Sequence, residues 1–265
     1  MSKSILVTGG TGTLGSAVVR RLLDVGVTPR VMSRRPRLDR PGDWAVADLR
    51  SGDGLVEALS GIDVILHCAD DTRGGSNGSA TTRNLVEAAV RAEAPPHLVY
   101  ISIVGIEHVP LGYYRAKLAD ERLVENSGLP YTIVRATQFN DLVRVILAGS
   151  AVLPVMFVPS LCFQPIDVQD VAVRLVELAS AAPAGRAVAI GGPEVRHTRE
   201  LARIWKQATG KRRPVVPVRL PGKIFGALRR GANLAPDNVA GTITFEKYLA
   251  GHPDPASVVY RRKSR

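Results

Sequence analysis

The sequence predicts an α/β protein with a doubly wound, mostly parallel sheet, followed by a smaller carboxy-terminal α+β lobe. Two observations support this: six short apolar segments alternate with amphipathic helical patterns, and the alternation ends after Thr137. Such alternation is typical of βαβ units on a parallel sheet. The predicted strands are residues 4–8, 29–33, 44–48, 64–68, 98–102 and 131–135.

Helical patterns lie between these strands, and the remainder of the chain mixes both kinds of element. The fourth helix is ended by Gly128 and Pro130, as helix stop signals predict. We assign residues 1–138, with 166–192 returning to them, to a first domain, and 139–165 with 193–265 to a second lobe. The predicted helices are 14–25, 52–60, 79–93, 114–127, 168–179, 198–209, 222–231 and 245–250, and two later strands are 186–190 and 214–219.

Composition limits the class of protein. The 265 residues carry 35 Lys and Arg against 24 Asp and Glu, a net charge of +11, with 45% hydrophobic residues, so we expect a folded chain. The arginines look scattered, which favours a solvated basic surface over a nucleic-acid site. Cys68 and Cys162 show neither metal nor disulfide spacing, so we expect no metal and a reducing, cytoplasmic location.

One uncharged stretch, Val145 to Phe163, is about as long as a membrane span. Pro154 and Pro159 would break a spanning helix, so we expect no membrane span. We predict instead an irregular, buried apolar segment that lines a pocket.

A glycine-rich loop follows the first strand and opens the first helix. Glycines at this place allow a tight turn and close approach of the backbone to a pyrophosphate at the helix N-terminus. A purely structural turn is the alternative, but both flanks fit the dinucleotide-binding fingerprint of a Rossmann fold. The predicted cofactor-binding residues are Gly9, Gly10, Thr11, Gly12, Thr13, Leu14 and Gly15.

The end of the second strand predicts which dinucleotide binds. Ser33, Arg34 and Arg35 end this strand, and no carboxylate occurs between Val27 and Leu38. An acidic residue here would bind the ribose 2′-hydroxyl of NAD(H), whereas arginine suits the 2′-phosphate of NADP(H). We therefore predict NADP(H) over NAD(H), with Arg34 as first choice. The alternative is that Arg34, Arg35 and Arg37 only face water.

A candidate acid–base pair follows the fifth strand. Ser102 ends that strand at the sheet edge where ligands bind, and Tyr113 and Lys117 lie four residues apart on the next helix, hence on one face. Tyr113 would donate or accept a proton, Lys117 would stabilise its phenolate and hold the nicotinamide ribose, and Ser102 would orient the substrate oxygen. The alternative is that Tyr113 packs and Lys117 is solvated.

With these motifs in place, the chain resembles the short-chain dehydrogenase/reductase superfamily, in its atypical or extended branch near the NmrA-like NAD(P)-binding proteins. The resemblance implies that Asp48 and Leu49 lie at the adenine and that the turn at Cys68 and Ala69 lies over the adenine ribose. The motifs that carry the resemblance are residues 8–15, 48–49, 82–85, Tyr113-x-x-x-Lys117, 135–139 and 164–171. Asp70 and Asp71 depart from the small-residue turn usual in active members, and the interval from Ser102 to Tyr113 is slightly short.

These observations give one leading hypothesis and two alternatives. The leading one is an NADP(H)-dependent oxidoreductase acting on a carbonyl or alcohol of a small, partly apolar molecule, with a pocket lined by Phe139, Leu142, Val155, Met156, Phe157 and Phe163. A noncatalytic, NmrA-like NADPH sensor acting through a protein partner is the first alternative, although such relatives tend to lack the Tyr/Lys pair. An isomerase or epimerase with tightly held cofactor is the second. Asn84 is either a buried hydrogen-bonding residue or part of a proton relay.

Overall fold

The computed structural model describes residues 3–35, 43–70 and 79–260. The chain forms two compact units. Unit 1 comprises Met1–Ser102, Leu111–Arg135 and Val171–Val188, and unit 2 comprises Ile103–Pro110, Ala136–Asp170 and Ala189–Arg265. Unit 2 therefore includes a short segment after the fifth strand that the sequence-based domain boundaries assign to the first domain.

The central sheet has seven strands in the order β3-β2-β1-β4-β5-β6-β9. The order reverses between β1 and β4, so this is a doubly wound sheet whose ligand crevice is expected at the carboxyl ends of those two strands. The predicted Rossmann-like α/β fold is confirmed. Its strands are β1 Ile5–Thr8, β2 Arg30–Ser33, β3 Asp43–Val46, β4 Val64–His67, β5 His97–Ile103, β6 Tyr131–Ala136 and β9 Gly185–Arg186; the smaller sheets use β7 Met156–Pro159, β8 Cys162–Phe163, β10 Arg196–His197 and β11 Val215–Val218.

The core of unit 1 lies between the sheet and its helices. Leu6, Ile65 and Leu98 of the strands are fully buried within it, because strands covered on both faces need continuous apolar runs, and the helical residue Leu85 is fully buried in the same core. The helices of the described residues, in both units, are α1 Thr13–Asp24, α2 Leu55–Leu59, α3 Ala80–Val90, α4 Gly112–Glu125, α5 Asn140–Ser150, α6 Val168–Ser180, α7 Thr198–Thr209, α8 Lys223–Arg229 and α9 Phe245–Gly251. None of the described helices is long and apolar enough to cross a membrane.

Unit 2 has its own core, in which Trp205 of α7 packs with apolar residues of α5, β7 and α9. Two small sheets accompany it: β7 pairs in parallel with β11, and β8 pairs antiparallel with β10. The prediction that residues 145–163 are irregular is wrong, since this stretch contains the end of α5, β7 and β8. It is not wholly buried either, because Val152 is 69% exposed and Leu153 is 53% exposed.

Candidate functional site

The glycine loop forms a cradle that side chains would fill. Gly9 has a φ of +67°, and a Cβ at this position would lie 2.6 Å from the backbone nitrogen of Ala69. A Cβ at Gly10 would collide with Val31, and one at Gly15 would collide with the Gly9 carbonyl. The loop is therefore compact enough for a pyrophosphate to approach its backbone, which is the role that glycine has in this motif.

The N-terminus of α1 is open to an anion. Its N-cap residue, Gly12, offers no side-chain hydrogen bond, and the first turn contains no acidic residue. The first N–H groups of a helix lack partners within the helix and carry partial positive charge. The loop and the helix together fit the diphosphate of a dinucleotide.

The end of β2 presents positive charge. Ser33 is half-buried and its Oγ accepts a hydrogen bond of 3.4 Å from the backbone nitrogen of Arg35. Arg34 and Arg35 are both exposed. Arg37 lies outside the described residues. The side chains that follow β2 are thus available for a phosphate, as well as for water.

The loop after β3 is fixed by Asn84 of α3. The Asn84 Nδ2 group donates to the carbonyl oxygens of Leu49, at 2.9 Å, and Arg50, at 2.8 Å. The Asp48 side chain accepts from the backbone nitrogen of Arg50 at 2.8 Å, which closes the turn. Asn84 therefore serves as a hydrogen-bonding residue that holds the segment predicted to lie at the adenine, and its amide protons are engaged there.

The turn after β4 is preceded by a buried histidine, His67. The ring of His67 contacts Thr8 Oγ1 at 2.7 Å through Nδ1 and Thr82 Oγ1 at 3.3 Å through Nε2. Burial, with a smaller contribution from the positive charge of Lys117, lowers the pKa of His67 to about 3, so the ring is neutral. The next residue, Cys68, is inert at neutral pH because burial raises the pKa of its thiol to about 12.

Lys117 of α4 is a buried cation, with only 6% of its surface exposed. Its Nζ donates to the carbonyl oxygen of Ile101 at 3.1 Å and lies 4.4 Å from the centre of the Tyr100 ring. Cation–π contact of this kind stabilises a desolvated ammonium. The sequence-based alternative of a solvated lysine therefore does not describe this side chain.

Asp120, one helical turn after Lys117, completes a buried polar cluster. Its carboxylate accepts hydrogen bonds from the Ser79 backbone nitrogen at 2.6 Å and from Tyr100 Oη at 3.2 Å. Burial raises the pKa of Asp120, while the Ser79 hydrogen bonds and the Lys117 charge oppose that rise. Thr82 Oγ1 contacts Ser79 Oγ at 2.8 Å, which links this cluster to His67. We call His67, Thr82, Ser79, Asp120, Tyr100 and Lys117 the buried polar cluster.

Tyr113 and Ser102 differ in how their hydroxyls are engaged. Tyr113 is half-buried, and its Oη donates a short hydrogen bond of 2.5 Å to the carboxylate of the exposed Asp70. Ser102 is only 3% exposed, and its Oγ has no hydrogen-bond partner among the described residues. A buried hydroxyl without a partner costs free energy, so it is available to an oxygen of a ligand.

The four aromatic and thioether residues predicted to line the substrate pocket lie in unit 2, in different environments. Met156 and Phe163 belong to its buried core. Phe157 is 50% exposed, and because successive strand residues face opposite sides, it does not share a face with Met156. Phe139 is half-buried at the N-cap of α5. The structure does not gather these four side chains into one lining.

Sequence reasoning missed most of the buried polar cluster. Two signals could have found part of it: Asp120 follows Lys117 by three residues on the same helix, and Tyr100 precedes Ser102 by two residues on the same strand. No spacing signal connects His67 with Thr82, because they meet only through the fold. Among the described residues no group of His, Cys, Asp and Glu could hold a metal ion.

The glycine cradle, the open helix N-terminus and the doubly wound sheet define a dinucleotide-binding protein of the Rossmann class. A family model described as NAD(P)H-binding matches residues 9–177. The chain belongs to this family, and the predicted membership of the atypical short-chain dehydrogenases/reductases is confirmed.

The chain is also similar to individual proteins of this class. The chain is 33% identical over 207 residues to a (4-alkanoyl-5-oxo-2,5-dihydrofuran-3-yl)methyl phosphate reductase of Streptomyces griseus, covering 74% of this chain and 70% of the relative. It is also 33% identical over 148 residues to a photosystem II assembly factor of Cyanophora paradoxa, covering 51% of this chain and 46% of that protein. Among solved structures, an NADPH-dependent quinone oxidoreductase of Escherichia coli complexed with NADPH aligns with a TM-score of 0.78 at 18% identity, covering 93% of this chain and 98% of that one.

Proposed function

We propose that the chain is an NADP(H)-dependent oxidoreductase that transfers hydride between the nicotinamide and a carbonyl or alcohol of a small, partly apolar molecule. The observation that carries the proposal is the buried ammonium of Lys117, one helical turn from Tyr113 on α4. A buried lysine is costly for a fold unless its charge is used or balanced. The reductase name of the Streptomyces griseus relative agrees with this class of reaction.

The residues that would hold the dinucleotide are those of the glycine cradle and the strand ends. Gly9 to Gly15 would hold the diphosphate, Arg34 and Arg35 the 2′-phosphate, and the loop of Asp48 and Leu49 the adenine. When bound, the nicotinamide supplies or accepts the hydride. A charge-assisted arginine–phosphate bond contributes roughly 1.5–3 kcal/mol, which corresponds to on the order of tenfold to a hundredfold preference for NADP(H) over NAD(H).

The protein's own part in the reaction is proton transfer and orientation. In the direction of reduction, Tyr113 would donate its phenolic proton to the substrate oxygen, and Lys117 would stabilise the phenolate that remains. Ser102, whose Oγ has no partner within the described part of the chain, would donate a hydrogen bond to the same oxygen. Asp120 and Tyr100 would act as positioning residues, since they hold the environment of the Lys117 ammonium.

Substitution of Tyr113 by Phe tests the mechanism. The variant should retain NADPH affinity and lose at least about a hundredfold in turnover on any carbonyl or quinone that the wild type reduces. Tyr114→Phe is the matched control, because the neighbouring tyrosine is also half-buried on α4 and has no proposed role. Undiminished turnover in Tyr113→Phe would remove this residue from the mechanism.

Cofactor preference needs a separate measurement. Dissociation constants for NADPH and NADH should be compared in the wild type and in Arg34→Ala, Arg35→Ala and the exposed control Arg20→Ala. The first or second variant should lose NADPH affinity by about tenfold or more while NADH affinity is little changed. Equal affinity of the wild type for both cofactors would contradict the proposed preference.

One observation favours the second candidate function, a noncatalytic NADPH sensor that binds a protein partner. The Tyr113 hydroxyl is engaged by the Asp70 carboxylate at 2.5 Å, an acceptor that stabilises the protonated phenol and would repel a phenolate. Two results together would support the sensor function. Asp70→Asn and the wild type would both fail to oxidise NADPH across carbonyl and quinone panels, and a partner protein would be captured only with NADPH present. For either function we propose a reducing, cytoplasmic location, in which Cys68 and Cys162 stay free thiols.

A further inference from the structure

Unit 2 carries an exposed apolar patch on a small sheet. Phe157 of β7 and Val216 of β11 are direct partners in the parallel register, so their side chains share the outer face of this sheet. Phe157 is 50% exposed and Val216 is 41% exposed, whereas Met156 and Val158 on the opposite face are buried in the core. Outward-facing apolar residues on both strands give the sheet a second hydrophobic face.

The loop before β7 carries two further exposed apolar residues. The Arg213 guanidinium donates to the carbonyl oxygens of Val152 and Leu153, which ties this loop to the start of β11. Val152 and Leu153 are more exposed than the two sheet residues. We call Val152, Leu153, Phe157 and Val216 the apolar patch. Contiguous exposed apolar surface with a polar rim marks an interaction site.

The segment of the chain that contains β11 is strongly basic. The basic segment, residues 201–236, contains nine Lys and Arg and no acidic residue, which leaves 26 basic and 24 acidic residues in the rest of the chain. Most of the net charge of +11 is therefore local to this segment. Its members are Arg203, Lys206, Lys211, Arg212, Arg213, Arg219, Lys223, Arg229 and Arg230.

Three exposed basic residues flank β11 in the sequence. Lys211 and Arg212 precede β11 and Arg219 follows it, and all three are exposed. None of the three makes an ion pair with another described residue. Val216 therefore lies on a strand with uncompensated positive charges at both ends, and its partner Phe157 lies beside it.

We propose that the apolar patch and the basic segment together bind the surface of an anionic lipid membrane. Apolar side chains that enter the headgroup boundary, flanked by Lys and Arg that attract anionic lipids, are the two features of interfacial binding. A second copy of this chain fits less well, because it would bring another nine positive charges against the first nine. A nucleic acid would satisfy the charges, but it would leave three exposed aliphatic side chains without a role and offer stacking only on Phe157.

Sedimentation of the full chain with vesicles tests the proposal. Vesicles of phosphatidylcholine alone are compared with vesicles of equal parts phosphatidylcholine and phosphatidylglycerol, at physiological ionic strength. The chain should bind the anionic vesicles and not the neutral ones. Lys211→Gln with Arg212→Gln should weaken binding on the order of thirtyfold, and Leu153→Ser with Phe157→Ser about tenfold or more. Arg20→Gln with Arg91→Gln, which removes two exposed charges from unit 1, is the matched control and should leave binding unchanged.

Three results would overturn the proposal. One is equal or absent binding to the two kinds of vesicle. The second is binding to duplex DNA or single-stranded RNA that is tighter than to anionic vesicles and insensitive to the Leu153→Ser and Phe157→Ser pair. The third is concentration-dependent dimerisation that the same pair abolishes. Phe157→Trp adds a direct readout, since its emission should shift to shorter wavelength only when anionic vesicles are added. These measurements do not depend on catalysis, so they are independent of the proposed oxidoreductase function.

Discussion

The neutral His67 makes the stability of the fold depend on pH in a way that can be calculated. Its pKa is about 3 in the folded protein against 6.5 for an unperturbed histidine. Below pH 6.5 the unfolded chain binds a proton that the native protein does not, so the free energy of unfolding falls as pH falls, until about pH 3. Each pH unit in this window is worth about 1.4 kcal/mol, so the loss between pH 6.5 and about pH 5 is about 2 kcal/mol.

Replacing His67 by Gln removes the pH-dependent contribution of this residue to the free energy of unfolding. The glutamine amide can still form a hydrogen bond with the hydroxyl of Thr8 or of Thr82. We expect the variant to be less stable than the wild type at neutral pH, because it cannot hold both hydroxyls. Its free energy of unfolding, measured by urea titration at a series of pH values, should fall less steeply between about pH 6.5 and about pH 5. His108→Gln, at an exposed position, should retain the wild-type slope. Parallel slopes for His67→Gln and the wild type would refute the reasoning.

Three further predictions concern residues of unit 1. Gly9→Ala should weaken cofactor binding about tenfold or more, measured by titration, because the φ of Gly9 is +67° and the turn after β4 leaves no room for a Cβ there. Unchanged affinity would contradict the proposal that the glycine cradle holds the diphosphate. Asp120→Asn should lower kcat by about tenfold or more and leave the KM for NADPH little changed, because the carboxylate that holds Tyr100 against the Lys117 ammonium is lost; lower stability with unchanged kcat would assign Asp120 a structural role only. Glu121→Gln should cost about 3–5 kcal/mol in urea unfolding, because a fully buried carboxylate that binds Arg135 at 2.6 Å is lost; a loss below about 1 kcal/mol would show that the pair is not needed.

Elements with local start and stop signals could be predicted from the sequence. The helix expected at 198–209 is α7 with the same bounds, since His197 and Glu200 form a capping box and Gly210 ends it in a left-handed conformation. The first strand, the glycine loop and α1 were equally predictable, because the positive φ at Gly9 and the change of hydrophobic period occur within a few residues.

The stretch containing α5 could not be predicted in the same way. Its N-cap, Phe139, makes no side-chain cap, so no signal marked the start. Gly149, Ser150 and Pro154 indicated breaks, but they lie at or beyond the end of the helix and do not interrupt it. The uncharged run suggested burial, whereas Val152 and Leu153 are exposed, because burial is decided by tertiary packing and not by local polarity.

Glu121 and Lys117 are buried charged residues of unit 1, and their charges are compensated in different ways. Glu121 is fully buried and binds Arg135 and Arg186 directly, so its charge is compensated within the chain. Among the described residues, Lys117 has no such direct bond to a carboxylate: Asp120 accepts from Tyr100 Oη, and the ammonium lies against the face of the same Tyr100 ring. Its one hydrogen bond to another described residue is to a carbonyl, so the remaining N–H groups have no acceptor in the described part of the chain. An ion pair that only stabilises the fold is most favourable in direct contact, because the attraction between the charges weakens with distance while the cost of their desolvation remains. A buried ammonium with no direct carboxylate partner in the described residues, and with N–H groups left over there, supports our proposal that Lys117 binds an acceptor on the dinucleotide.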